Sequence, residues 1–169
     1  MKKLLIVIDM QKDFVTGVLG TKEAVAIVEK VIERIQTTRE QGDEIVFTRD
    51  THGENYSSTQ EGKNLPVPHC IKNTDGWQII DGLYNGELVF DKPTFGSVAL
   101  AEYVKANAFD EVELIGVCTD ICVVSNAMLL KAYCPEMKVS VKEDCCAGVT
   151  KDNHQAAIQT MRSCQVMIV

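Results

Sequence analysis

No stretch of the 169-residue chain approaches the roughly 20 apolar residues that a membrane-spanning helix requires, so a helical membrane protein is not expected. Positive charge is in short supply. Seventeen basic side chains face 24 acidic ones, and the net charge of −7 opposes both phosphate neutralisation on nucleic acid and attraction to an anionic membrane. The seven cysteines, at 70, 118, 122, 134, 145, 146 and 164, contain no C-x-x-C pair and no regular spacing. That speaks against a secreted disulfide scaffold and for a reducing, cytoplasmic setting. Repeats and low-complexity tracts are absent, and no Gly-rich phosphate loop follows the first apolar run.

With 46% hydrophobic and 24% charged residues, the composition is that of a folded globular protein, and the length fits a single domain over residues 1–169. The opening Met1-Lys2-Lys3 precedes an apolar run that Asp9 interrupts and no small-residue cleavage site follows. It reads as a first strand rather than a signal peptide. Six short runs rich in Val, Ile and Leu recur, at residues 4–8, 44–48, 87–90, 111–116, 138–141 and 166–169. Each is too continuously apolar for a one-sided antiparallel strand, which implies a parallel sheet covered on both faces. Helices are expected at 21–41, with Thr21 as cap, Gly42 as stop and Val25, Val28, Ile32 and Ile35 inward. Others are expected at 97–107, 121–133 and 152–164, the last opening on an Asp cap. The fold class is therefore α/β, a three-layer αβα sandwich with a six-stranded parallel sheet. Residues 51–85 lack a period and form a long loop, of functional character, with one helical turn at 77–80.

In open α/β sheets ligands bind at the carboxyl ends of the strands, and here those ends are polar. Asp9 follows five apolar residues, where partial desolvation would raise its pKa and suit it to general-base work. Lys92 leaves the third run beside Asp91, placed to hold a carboxylate or to lower a thiol's pKa. Cys122 falls in the first turn of a helix that follows Gly116-Val117-Cys118-Thr119-Asp120, where the helix N-terminus favours thiolate and its N–H groups can receive an oxyanion. The fifth run ends at Glu143-Asp144-Cys145-Cys146. Asp50 and His52 share a face of an extended segment and, with His69 from the long loop, could hold one divalent ion with positions left open. His154, inside the last helix, reads as structural.

The segments Ile6-Val7-Ile8-Asp9-Met10-Gln11-Lys12-Asp13-Phe14, Asp91-Lys92-Pro93-Thr94-Phe95-Gly96-Ser97 and Gly116-Val117-Cys118-Thr119-Asp120-Ile121-Cys122-Val123 together resemble the isochorismatase-like cysteine hydrolases over nearly the whole chain. Asp50-Thr51-His52 and Pro68-His69-Cys70 resemble the metal site of the nicotinamidase-like subgroup. The resemblance implies an Asp9–Lys92–Cys122 triad and an oxyanion hole from the backbone N–H groups of Cys118 and Cys122, with a cis peptide before Cys118. It also implies that Phe14 lines the substrate pocket and that zinc or another divalent metal sits on Asp50, His52 and His69. The reaction it implies is deamidation of a small carboxamide through a Cys thioester, with water activated at the metal or by Asp9. For nicotinamide the products are nicotinate and ammonia, a step of NAD salvage. A homo-oligomer, dimer or tetramer, goes with it.

Two departures stand out: Thr51 where nicotinamidases often carry an aromatic, and a short loop between the second and third strands. A second aromatic opposite Phe14 could be Trp77, Tyr56 or Phe95. The alternatives are a metal-free relative acting on another small amide or a vinyl ether, and, in a different class, a thiol-redox or binding protein using Cys118 and Cys122 or the Cys145-Cys146 pair.

Overall fold

A computed structural model describes all 169 residues. Six parallel strands form one sheet in the order β3-β2-β1-β4-β5-β6, with β1 Lys3–Ile8, β2 Glu44–Asp50, β3 Leu88–Lys92, β4 Glu111–Val117, β5 Lys138–Ala147 and β6 Met167–Ile168. Continuous apolar sequence makes β1 the middle of the sandwich, because both faces of a parallel sheet are covered. Leu4, Ile6 and Ile8 enter one core, against Leu100 and Val104 of α5 (Val98–Asn107), Leu130 of α6 (Val124–Tyr133) and Ile158 and Met161 of α7 (Lys151–Ser163). Leu5 and Val7 enter the other, against Ala24 of α2 (Lys22–Ala26) and Val31 and Ile35 of α3 (Val28–Gln41). No helix is long and apolar enough to cross a membrane.

The expected helix at 21–41 is two helices, broken at Ile27, although Thr21 caps its start and Gly42, at φ 72°, ends it as read. Val25 is turned outward, half exposed, while Val28 and Ile32 pack at the edge of the core as expected and Ala24, Ile27, Val31 and Ile35 are buried in it. At α7 the cap is Thr150, which accepts from Asn153 N–H, and Asp152 sits in the first turn instead. The fifth strand does not stop at residue 141. It continues through Ala147 after a register shift against β4 between Leu114 and Gly116, so Glu143 and Asp144 lie within the strand and its carboxyl end is Ala147. Residues 77–80 form no helical turn, since Ile79 bridges antiparallel to Gln11. The helical pieces of the long loop lie earlier, a 3₁₀ turn at Tyr56–Ser58 and α4 at Gln60–Asn64, with α4 capped by Thr59.

The strand order reverses between β1 and β4, and the carboxyl ends of these two neighbours form the switch point where open sheets bind ligands. At that point the chains run unusually close. Gly116 pairs with Ile8 at φ 116°, and a Cβ there would stand 2.1 Å from the Ile8 carbonyl oxygen. Only glycine satisfies both the conformation and the approach. Gly116→Ala is therefore expected to destabilise the fold by about 2–4 kcal/mol in urea unfolding, and a loss below about 0.5 kcal/mol would contradict that packing.

Candidate active site and adjoining metal-ligand cluster

Asp9 is the first residue beyond β1, completely buried and at φ 46°. Thr48, on β2, fixes it twice: its hydroxyl donates to Asp9 Oδ1 at 2.6 Å and accepts from Asp9 N–H at 3.2 Å. Lys92 ends β3, and its buried ammonium stands 2.7 Å from Asp9 Oδ2, 3.3 Å from Asp50 Oδ1 and 3.4 Å from Cys122 Sγ, while donating to the Thr94 carbonyl at 3.1 Å. The approach to Asp9 Oδ2 is a close, charge-assisted contact. A carboxylate oxygen has two lone pairs, so one remains for a proton from the neighbouring Cys122 thiol.

Cys122 lies in a single π-type turn, Thr119–Val123, between β4 and α6, rather than in the first turn of an α-helix. Asn126, one turn on, accepts from Ser97 N–H and donates to the Cys122 and Phe95 carbonyls, which ties the turn to the segment after Lys92. The peptide between Val117 and Cys118 is cis. Burial pushes the Cys122 thiol well up, the Asp9 carboxylate adds to the rise and Lys92 opposes it. Burial thus acts against the thiolate that a helix terminus favours, and Cys122 lies in the turn ahead of α6. Burial likewise raises Asp9, against the pull of Lys92. For Lys92, burial works against the charge but Asp9, Cys122 and Asp50 outweigh it, so it is held as ammonium. The Cys118 thiol is pushed up to about 12, chiefly by burial, and is inert by comparison.

Asp50 carries a second set of partners. Its Oδ2 lies 2.8 Å from His52 Nε2 and 3.4 Å from His69 Nε2, and Glu61 Oε1 lies 3.6 and 3.7 Å from the same two nitrogens. One donor atom from each of the four residues falls within 4.8 Å of every other. His69 Nδ1 is hydrogen-bonded to the Val67 carbonyl at 2.8 Å, an outer contact that fixes the ring with Nε2 toward the cluster. Burial would raise the Asp50 carboxyl, but hydrogen bonds from His52 and His69 and the charge of Lys92 hold it below the usual carboxylate range. Two imidazoles and two carboxylates, gathered in one buried cluster, fit a divalent transition metal such as zinc. Asp50, His52 and His69 meet as expected from sequence. Glu61 was missed: it sits on a one-turn helix inside an aperiodic loop, and its only signal is its place after the Thr59 cap.

Two other residues of the first motif hold this cluster in place. The buried Gln11 side chain accepts from Asp50 N–H at 2.7 Å and donates to the Asp50 and Trp77 carbonyls, both at 2.9 Å. Asp13 accepts from Cys70 N–H at 2.8 Å, next to His69, and Gly76 leaves the space its carboxylate fills.

Phe14 packs at 5.5 Å against the His69 ring. Of the three candidates for a second aromatic, Tyr56 lies against His52 and His69 with its hydroxyl on the Leu65 carbonyl, and so supports the cluster. Trp77 donates to Thr51 Oγ1 at 2.8 Å and has Arg49 stacked on its face at 3.6 Å. Phe95 is 43% exposed and lines a cavity of about 610 Å³ with His52, Glu61, Leu65 and Ile121. Phe14 is not among the residues of that lining. Another hollow, about 550 Å³ along β3 between Arg49 and Tyr84, lies away from these groups. The Cys145 and Cys146 thiols are buried in β5, and burial pushes Cys145 up to about 12 and raises Cys146 as well.

Comparison with known proteins agrees with the geometry. The Isochorismatase domain profile matches residues 3–169. The nicotinamidase/pyrazinamidase of Mycobacterium tuberculosis is 27% identical, over 99% of this chain and 98% of that protein. An isochorismatase family protein of Bacillus subtilis is 30% identical over 94% and 93%. The crystal structure of the Pyrococcus horikoshii pyrazinamidase in complex with zinc superposes with a TM-score of 0.86 at 29% identity, over 100% of this chain and 99% of that one. The chain belongs to the isochorismatase family, and within it to the amidohydrolases.

The Lys92 ammonium is the only cation between two buried carboxylates. Lys92→Met is expected to destabilise the protein by about 3–5 kcal/mol in urea unfolding, and Asp9→Asn in the same chain to return part of that loss. Additive losses would show that the ammonium and Asp9 are not coupled.

Proposed function

We propose that this chain is a cysteine amidase that deamidates nicotinamide to nicotinate and ammonia. The observation that carries the reading is the Lys92 ammonium, which stands within 3.4 Å of the Cys122 sulfur and 2.7 Å of the Asp9 carboxylate, one residue's width from the Asp50, His52, Glu61 and His69 cluster. Relatives named for nicotinamide and pyrazinamide hydrolysis support the substrate class.

In the resting site the proton stays on sulfur, since burial raises the thiol. The Asp9 carboxylate takes that proton as the sulfur attacks the carboxamide carbon, and Lys92 compensates the charge on both partners. The backbone N–H groups of Cys118 and Cys122 receive the oxyanion. Asp9 then returns the proton to nitrogen, the C–N bond breaks and ammonia leaves a thioester. Water attacks that thioester with Asp9 again as base, the C–S bond breaks, and the sulfur recovers its proton. The Asp50, His52, Glu61 and His69 donors would hold a divalent metal, zinc for preference, which when bound supplies a Lewis acid and an anchor for the ring nitrogen. Phe14, packed on His69, and Phe95, in the cleft with His52 and Glu61, are the candidate aromatic faces for the ring.

Ammonia release from nicotinamide is expected to vanish in Cys122→Ala and to fall about 10²- to 10⁴-fold in kcat in a folded Asp9→Asn protein. Activity retained by Cys122→Ala would end the thioester mechanism. An intact Cys122-dependent activity on other small amides, with nicotinamide untouched, would leave the mechanism standing and replace the substrate.

For the metal, competition with a chelator is expected to show Glu61→Gln weakening zinc roughly tenfold or more, and His52→Ala weakening it further. If the wild-type protein holds no divalent ion, the metal-free alternative takes its place.

A further inference from the structure

The turn that carries Cys122 is weak on its own. It is a single π-type turn, closed by Val123 N–H on the Cys118 carbonyl at 3.1 Å, and Cys118, just before it, offers no side-chain cap. Such turns are rare and are found mostly as local bulges at functional sites, so the position of this one must be fixed from outside. On one side Asn126 does this from α6. On the other the contacts come from the start of α7, and neither the fold nor the reaction as derived above accounts for them.

Thr119, the first residue of the turn, is fully buried, and its hydroxyl is hydrogen-bonded to His154 Nδ1 at 2.8 Å. The next residue, Asp120, accepts from Val149 N–H at 3.0 Å through Oδ1 and from the Asn153 amide at 3.1 Å through Oδ2. Gly148 permits this approach: a Cβ there would stand 2.8 Å from His154 N and 2.9 Å from Asp120 Oδ1. The far side of the His154 ring faces Glu143, with Nε2 at 3.8 Å from its carboxylate, and Arg162 approaches that carboxylate at 3.5 Å. Adjacent residues of one turn of α7 thus grip adjacent residues of the turn that bears the nucleophile.

We propose that His154, seconded by Asn153, is a positioning residue for amide hydrolysis, holding the Cys122 sulfur and backbone N–H at a fixed distance from Asp9 and Lys92. The assignment rests on Cys122 being the nucleophile. His154 touches neither substrate nor the reacting atoms and acts only through Thr119. The substrate's ring is expected to bind on the opposite side, in the cleft at Phe95, so loosening the grip should disturb attack and oxyanion geometry more than binding. A misplacement of about 1 Å in such a constellation can cost on the order of 10²-fold in rate.

The test uses the metal-loaded enzyme and two complementary deletions of one hydrogen bond. Thr119→Val removes the hydroxyl with almost no change of shape, and His154→Leu removes the ring nitrogen. Both should lower kcat for ammonia release by about 10- to 100-fold, with KM within about threefold and the melting temperature nearly unchanged for Thr119→Val. The double variant should be no slower than the slower single. His154→Asn, whose amide can reach the place of Nδ1, should restore most of the rate. Alkylation of Cys122 by iodoacetamide, followed at that residue by mass spectrometry, should slow in the same variants and recover in His154→Asn. This readout does not depend on the identity of the amide.

Wild-type kcat and alkylation in folded Thr119→Val, or a purely multiplicative double variant, would overturn the positioning role and leave the nucleophile in place. Undiminished ammonia release by Cys122→Ala would instead bring down the reading on which it rests.

Discussion

One buried ammonium organises this molecule. Lys92 is 1% exposed and sits between two carboxylates and a thiol, and its charge offsets the cost of burying both carboxylates. An isolated charge there would cost several kcal/mol, and the cluster persists because each member's desolvation is offset by the others. Asp50 widens the arrangement, since one of its oxygens faces Lys92 and the other faces both imidazoles of the neighbouring cluster. A single side chain therefore joins the proton-handling groups to the candidate metal ligands. Its backbone is held in turn by Gln11, two residues after Asp9.

The sheet topology is what lets these groups meet. Asp9 leaves β1, Asp50 and Lys92 end β2 and β3 on one side of it, and the Cys122 turn follows β4 on the other. Because the strands are parallel, every one of these residues emerges at the same sheet edge, and the reversal of order at β1 and β4 opens a crevice between them. The close pairing of Ile8 with Gly116 brings the strand that leads to Cys122 against the strand that ends at Asp9. Geometry at the site is thus inherited from backbone spacing in the core.

Much of this was legible in the residue pattern, for identifiable reasons. β1, β2 and β4 announce themselves as continuous apolar runs, and Asp9, Asp50 and Lys92 stand out as charges at the ends of β1, β2 and β3, where a solvated loop start would not need a buried partner. What was not legible depended on contacts distant in sequence. Glu61 joins His52 and His69 only because Thr59 caps a one-turn helix that turns its carboxylate inward. β5 runs six residues past its apolar stretch because a register shift against β4 lets Glu143 and Asp144 remain in the strand. The break at Ile27 follows from packing against the sheet, which no local propensity signals.

The protonation of Cys122 shows the same division between local and tertiary causes. Read locally, a cysteine at the start of a helix ought to be a thiolate. In place, complete burial beside Asp9 raises the thiol, and the nearby ammonium does not overcome it. The same burial raises Asp9, so both members of the pair hold a proton more tightly than in water, and Lys92 compensates the pair's charge wherever that proton resides. A thiol that keeps its proton until it attacks needs a base close enough to take that proton in the same step. In the proposed mechanism Asp9 is that base, its Oδ2 held 2.7 Å from the ammonium that also reaches the Cys122 sulfur at 3.4 Å.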